Sequence, residues 1–155
     1  MSIEIVERYD EQSISEIKDI FIEYRKDLGL DLSFQDFQDE LEELPGEYSP
    51  AEGAILLARD EDKTVGCVAL RKIDETTCEM KRLYVKPEYR GEGLGRKLSK
   101  SIIEKARDKG YEKMKLDTLT TLKEANELYR SLGFEECEPY RYNPLEDALY
   151  MELEL

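Results

Sequence analysis

The chain is 155 residues long, 40% hydrophobic and 39% charged, with a formal net charge of −14. That length and composition describe one globular domain, residues 1–155, rather than a disordered chain. No apolar run reaches the ~20 residues of a membrane span, Met1 to Asp10 lacks a signal-peptide pattern, and the absence of histidine excludes Ser-His-Asp and Cys-His catalysis and histidine-ligated zinc.

In chain order, Ile3 to Val6 reads as a strand. Ser13-Ile14-Ser15-Glu16 has the form of a capping box, and Ile14, Ile17, Phe21 and Tyr24 then recur at helical spacing until Gly29. Ser33 is placed to cap a second helix with Phe34, Phe37, Leu41 and Leu44 on one face, stopped by Pro45-Gly46. Ala54 to Arg59 and Val65 to Lys72 read as strands around the turn Asp60-Glu61-Asp62-Lys63, and Thr76 to Val85 as a longer strand. A helix from Leu94 turns Leu94, Leu98, Ile102 or Ile103, and Ala106 inward and ends at Gly110. Tyr111 to Leu119 is the next strand. Thr121-Leu122-Lys123-Glu124 has the form of another capping box, opening a helix with Leu122, Ala125, Tyr129 and Leu132 on one face up to Gly133. Phe134 to Arg141 and Ala148 to Leu155 read as closing strands. Cys67, Cys78 and Cys137 lack paired or metal-like spacing, so reduced structural thiols and a cytoplasmic location are expected.

Charge is uneven along this order. Lys81 to Lys115 holds 12 Lys/Arg against 5 Asp/Glu, whereas the remainder holds 11 against 32. The basic stretch is either a helix with a solvated face or a set of cations for a large anionic ligand. A nucleic acid does not fit, because the acidic remainder would repel a long polyanion.

Within the basic stretch lies Arg90-Gly91-Glu92-Gly93-Leu94-Gly95-Arg96, between a strand and a helix start. Glycines at a helix N-terminus let the backbone approach an anion, and two arginines can add charge-assisted bonds, so the turn reads as a pyrophosphate cradle. It is not the G-x-G-x-x-G of an early βαβ unit, and it lacks the Gly-Lys-Ser/Thr of a phosphate-binding NTPase loop. The spacing that fits is R-x-x-G-x-G at Arg90, Gly93 and Gly95. With its flank, Leu83 to Gly95 resembles the acetyl-CoA motif of the GNAT superfamily of N-acetyltransferases. Ala125-Asn126-Glu127-Leu128-Tyr129-Arg130-Ser131-Leu132-Gly133-Phe134 resembles the superfamily's A-x-x-L-Y-x-x-x-G-F segment, and the order β-α-α-β-β-β-α-β-α-β-β is its order.

The resemblance implies a mixed α/β GNAT fold whose strands Glu79 to Val85 and Tyr111 to Leu119 run parallel and splay apart. It implies acetyl-CoA as co-substrate, its pantetheine arm beside the backbone of Leu83, Tyr84 and Val85. The pyrophosphate would lie on the amides of Arg90, Gly91, Glu92, Gly93, Leu94, Gly95 and Arg96, and the thioester oxygen near the Leu83 amide; no metal is implied. Many members carry Asn seven residues before the motif tyrosine, where this chain has Leu122. Asn126 is offset by four, and Thr120 or Thr121 are the nearby alternatives.

Acid–base work without histidine falls to other groups. The motif match makes Tyr129 the candidate acid toward the departing thiolate, with a core tyrosine as the alternative. Glu79 and Asp117 are the candidate bases, Glu79 being preferred for its reach and because strand alternation places it with Leu83 and Val85, unless a β-bulge intervenes. Each carboxylate also has a lysine on its face, Lys81 or Lys115, with which it could simply pair. Two readings stay open: an enzyme acetylating a primary amine by direct attack, and a CoA-binding sensor that has kept the fold. The acidic stretch Ser13 to Glu47 suggests a cationic acceptor, small or peptidyl. A longer acyl donor and a monomer or homodimer both remain compatible.

Overall fold

A computed structural model describes residues 3–29, 37–141 and 143–155. The strands are β1 (Ile3–Val6), β2 (Ala54–Asp60), β3 (Lys63–Lys72), β4 (Thr77–Val85), β5 (Lys113–Leu119), β6 (Glu135–Glu136) and β7 (Ala148–Glu154). They form one sheet in the order β1-β2-β3-β4-β5-β7-β6. Every neighbouring pair is antiparallel except β4 and β5. The helices are α1 (Glu11–Leu28), α2 (Phe37–Glu43), α3 (Leu94–Asp108) and α4 (Lys123–Ser131).

Apolar alternation along the strands feeds two cores, one on each face of the sheet. Ile17, Ile20 and Phe21 of α1 and Phe37 and Leu41 of α2 pack on Leu57, Cys67, Ala69 and Tyr84. Leu94, Leu98, Ile102, Ile103 and Ala106 of α3, with Tyr129 of α4, pack on Leu56, Val68, Met80 and Met114. The periodic positions expected along α3 are thus the buried ones, Ile102 and Ile103 both included.

Several boundaries differ from those read in the sequence. α1 is capped three residues earlier than expected, because Asp10 takes that role: its carboxylate accepts from the Ser13 amide at 3.4 Å and from Ser13 Oγ at 2.7 Å. Glu16, expected in the capping box, instead receives Arg59 Nη1 at 2.8 Å and Thr64 Oγ1 at 2.8 Å. The second box also fails. A turn, Leu122 N–H to Leu119 C=O, makes Leu122 the N-cap of α4, with no side-chain cap. Ser33 and Phe34 lie outside the described residues. The expected strand Phe134 to Arg141 shrinks to Glu135–Glu136, since Pro139 has no N–H to offer and Tyr140 and Arg141 bond to β4 instead.

The feature that creates a site is the parting of β4 from β5. They pair only at Thr77 with Lys113, Cys78 with Met114 and Glu79 with Lys115. Beyond Glu79, β4 stays on β3 and β5 stays on β7, so the edges facing each other carry backbone groups without a strand partner. A bulge accompanies the parting. Between Cys67 and Ala69 of β3, β4 has one residue more, and Arg82 there adopts φ +61°. Such a conformation in a non-glycine residue needs support. Arg82 has it: its guanidinium donates to Glu40 through Nε (2.9 Å) and Nη2 (2.8 Å) and lies over the Phe37 ring.

Candidate active site

The parted strands open a cleft of about 750 Å³ lined by Met80 to Val85, Leu116 to Leu119, the turn before α3, and the start and middle of α4. Such a volume is that of a site for a sizeable small molecule. At its mouth, Gly93 is the N-cap of α3 and has no side chain to cap the helix, so the first amides of α3 lack intrahelical acceptors. Gly91 and Gly93 both have φ +82°, and a Cβ at either would meet nothing within 4 Å, so this face of the turn is open. Backbone donors, a helix N-terminus and an open face fit a diphosphate.

All but one of the residues expected to hold the cofactor line this cleft: Leu83, Tyr84, Val85, Arg90, Gly91, Gly93, Leu94, Gly95 and Arg96 do, and Glu92 is exposed outside it. The two arginines each have protein partners. Arg90 Nε donates to the Val85 carbonyl at 2.8 Å, its Nη2 reaches Asp27 at 3.2 Å, and it lies over the Tyr84 ring. It therefore stitches the turn to the end of β4 and to α1. Arg96 donates to Ser131 Oγ at 2.7 Å. Much of the remaining basic stretch is used internally, as in Lys105 with Glu7 and Lys113 with Glu152 and Glu154. Leu122 and Thr121 line the cleft, but Asn126 is turned into the fold, accepting from Thr118 Oγ1 and donating to the Leu119 carbonyl, each at 2.9 Å.

Tyr129 is buried, packs edge-on against Phe134, and lines the cleft. Among the described residues its hydroxyl has no hydrogen-bond partner. Burial, with Tyr24 and Asp117 nearby, pushes its pKa well up, so the phenol keeps its proton at neutral pH.

The two carboxylates separate clearly. The bulge at Arg82 reverses the alternation, so Met80, not Glu79, shares a face with Leu83 and Val85. Glu79 is 0% exposed and does not line the cleft. It accepts from Arg71 Nε at 2.7 Å, from the Tyr140 hydroxyl at 2.5 Å and from Arg141. Burial alone would raise its pKa, but Lys81, Arg141, Arg71 and Tyr140 together hold it below the ordinary value. Asp117 does line the cleft, with Asn143 Nδ2 at 3.3 Å.

Three residues of the cleft were not singled out from sequence. Tyr24 looked like one more inward residue of α1, yet it lines the cleft beside Arg82, whose guanidinium lies over its ring. Asn143 sits in an irregular segment without a motif. Lys81 lines the cleft at 7% exposure, and its signal was a lysine inside an otherwise buried strand. Burial and the neighbouring Arg82, Arg141 and Arg71 outweigh Glu79 and bring its pKa down to about 7.

A parallel strand pair that opens into a cleft, with a glycine cradle at the adjoining helix, sets a free strand edge beside an anion-binding turn. Residues 14–134 match the acetyltransferase (GNAT) family, and the chain belongs to it. It is 46% identical over 146 residues to an uncharacterised N-acetyltransferase of Schizosaccharomyces pombe, covering 93% of this chain and 90% of that protein. Among solved structures, an acetyltransferase of Streptococcus agalactiae superposes with a TM-score of 0.82 at 26% identity, covering 99% of this chain and 98% of that one. An acetyltransferase of Salmonella typhimurium solved with acetyl-CoA has the same fold, with a TM-score of 0.71 at 21% identity and coverage of 99% and 94%.

Proposed function

We propose that the protein transfers an acetyl group from acetyl-CoA to the nitrogen of a primary amine by direct attack within a ternary complex. The observation that carries this is the Tyr129 hydroxyl, lacking a partner among the described residues, in the wall of a cleft whose mouth is a glycine cradle. Bound acetyl-CoA supplies a thioester carbonyl that an amine can attack. The cradle amides of α3 would take its diphosphate, and the unpartnered edge of β4 at Leu83 and Tyr84 would bond its pantetheine arm. The Leu83 amide would meet the charge that grows on the carbonyl oxygen.

Asp117 is the better candidate to take the first proton from the acceptor's ammonium, directly or through water, because it lines the cleft while Glu79 is sealed behind Arg71, Tyr140 and Arg141. The amine lone pair then attacks the carbonyl carbon, the carbon–sulfur bond breaks, and Tyr129 gives its proton to the leaving thiolate. The second nitrogen proton returns to Tyr129 or to solvent, so one proton is released per turnover. Among the described residues, several carboxylates of α1 and α2 pair with protein cations, Glu40 with Arg82, Asp27 with Arg90 and Glu23 with Lys86, which weakens their pull on a cationic acceptor. The test is thiol release from acetyl-CoA with a panel of amines, with CoA binding measured alongside. Tight CoA binding with no thiol release for any amine would instead favour a sensor.

A further inference from the structure

We propose that the acceptor is a small zwitterion, an amino acid or close relative, whose carboxylate seats against Lys81 on the β4 wall while its ammonium faces Asp117 on the β5 wall. The inference rests on the acetyl-transfer reading above and names its substrate class.

The argument is one of register and charge. Parallel pairing ends with Glu79 opposite Lys115. Two residues further on, the continued register would bring Lys81 opposite Asp117, both on the sheet face of Glu79 and Lys115. The strands have parted there, so the two side chains stand on opposite walls of the gap, and both line it. One wall is therefore cationic and the other anionic.

The cationic wall is reinforced from several elements. Arg71 of β3, Arg82 of β4 and Arg141 from the segment between β6 and β7 all act on Lys81, with Glu79 acting in the opposite sense, while Arg71 also pairs with Glu47 and Arg82 with Glu40. Arg71 and Arg141 both bond Glu79, which fixes them around that lysine. On the other wall, Asn143 holds Asp117. An acceptor bearing only positive charge would meet this group of cations in a low-dielectric site, at a cost. A molecule with a carboxylate and an ammonium matches both walls. The lowered pKa of Lys81 agrees, since a carboxylate beside it would reverse the pressure from the three guanidinium groups.

Matched acceptors decide the point. Acetyl transfer is measured with amino acids, with their amides and with the corresponding decarboxylated amines, on wild type and on Lys81→Met. The expected result is kcat/KM at least tenfold higher for the carboxylate member of each pair, and loss of that preference in Lys81→Met. Equal or better transfer to the amides or to polyamines, or a preference that survives in Lys81→Met, overturns the proposal. Calorimetry with CoA-loaded wild type gives a second readout that needs no turnover: N-acetyl amino acids should bind more tightly than their amides. If no amine of any kind is acetylated, the acetyl-transfer reading fails, and the calorimetry still judges the seat. Equal binding of acid and amide then overturns it.

Discussion

The Tyr140 hydroxyl donates to Glu79 Oε2 at 2.5 Å, tying the segment between β6 and β7 to the middle of β4. Arg141 joins the same oxygen, and Arg71 holds the other. The carboxylate thus anchors the start of the segment after β6 to β4. Glu79→Gln leaves two guanidinium groups facing a neutral amide, and breaking a buried pair in this way costs about 3 kcal/mol. Chemical denaturation should show a loss of that order at neutral pH. Because the folded-state pKa of Glu79 is lowered, its contribution is present above the ordinary carboxylate range and fades as pH falls through the folded value. The gap between wild type and variant should therefore close in acid.

Gly93→Asp should abolish CoA binding by calorimetry. A side chain at φ +82° costs roughly 1–2 kcal/mol, and the carboxylate would stand in the cradle against a diphosphate. Gly95 differs: it lies inside α3, where a Cβ would meet Leu128 Cδ2 at an ordinary 3.6 Å. Gly95→Ala should bind CoA nearly as wild type, and Gly95→Asp should not. Unchanged affinity in both aspartate variants would remove the cradle from the site.

Tyr129→Phe should lower kcat by ~10²–10⁴-fold, the usual scale for losing a general acid, and leave CoA affinity intact. Its hydroxyl bonds to no described residue, so folding should hardly change. Near wild-type single-turnover rates would return Tyr129 to the role of a core aromatic packed on Phe134.

Asp117→Asn should reduce kcat/KM at neutral pH by about tenfold or more, on the scale of general base catalysis. The deficit should narrow at high pH, where the free amine has already lost its proton. A loss that is constant across pH would point to a purely structural role for the Asn143–Asp117 contact.

How far the sequence reaches can be seen by comparing two stretches. The cradle and α3 are legible because local rules suffice: glycines at a strand–helix junction, then apolar residues every three or four positions, all buried as the period requires. The placement of Glu79 with Leu83 and Val85 is misread because two non-local facts decide it. The bulge at Arg82 is stabilised by Glu40 and Phe37, some forty residues earlier, and nothing local to β4 announces it. Tyr140 and Arg141 reach Glu79 from about sixty residues later, from a segment that alternation alone would extend as a strand. The caps fail for a narrower reason. Asp10 competes with Ser13 for the same helix start, and the carboxylate wins by bonding both the amide and the hydroxyl of Ser13.

Lys81 should leave a signature in stability against pH. Its folded pKa of about 7 lies well below the unfolded value of about 10.4, so between these pH values the unfolded chain holds a proton that the folded chain does not. Stability from this group therefore rises with pH across that window, and below pH 7 the fold carries the full burden of a buried ammonium. Lys81→Met removes that burden while keeping most of the side chain's volume. The variant should be more stable than wild type at pH 6, by an amount on the order of 3 kcal/mol, and the difference should shrink steadily toward pH 9.5. Urea denaturation of the two at pH 6, 8 and 9.5 provides the measurement. A difference that does not change with pH would mean that Lys81 titrates as an ordinary surface lysine, and the charge environment assigned to the β4 wall would be wrong.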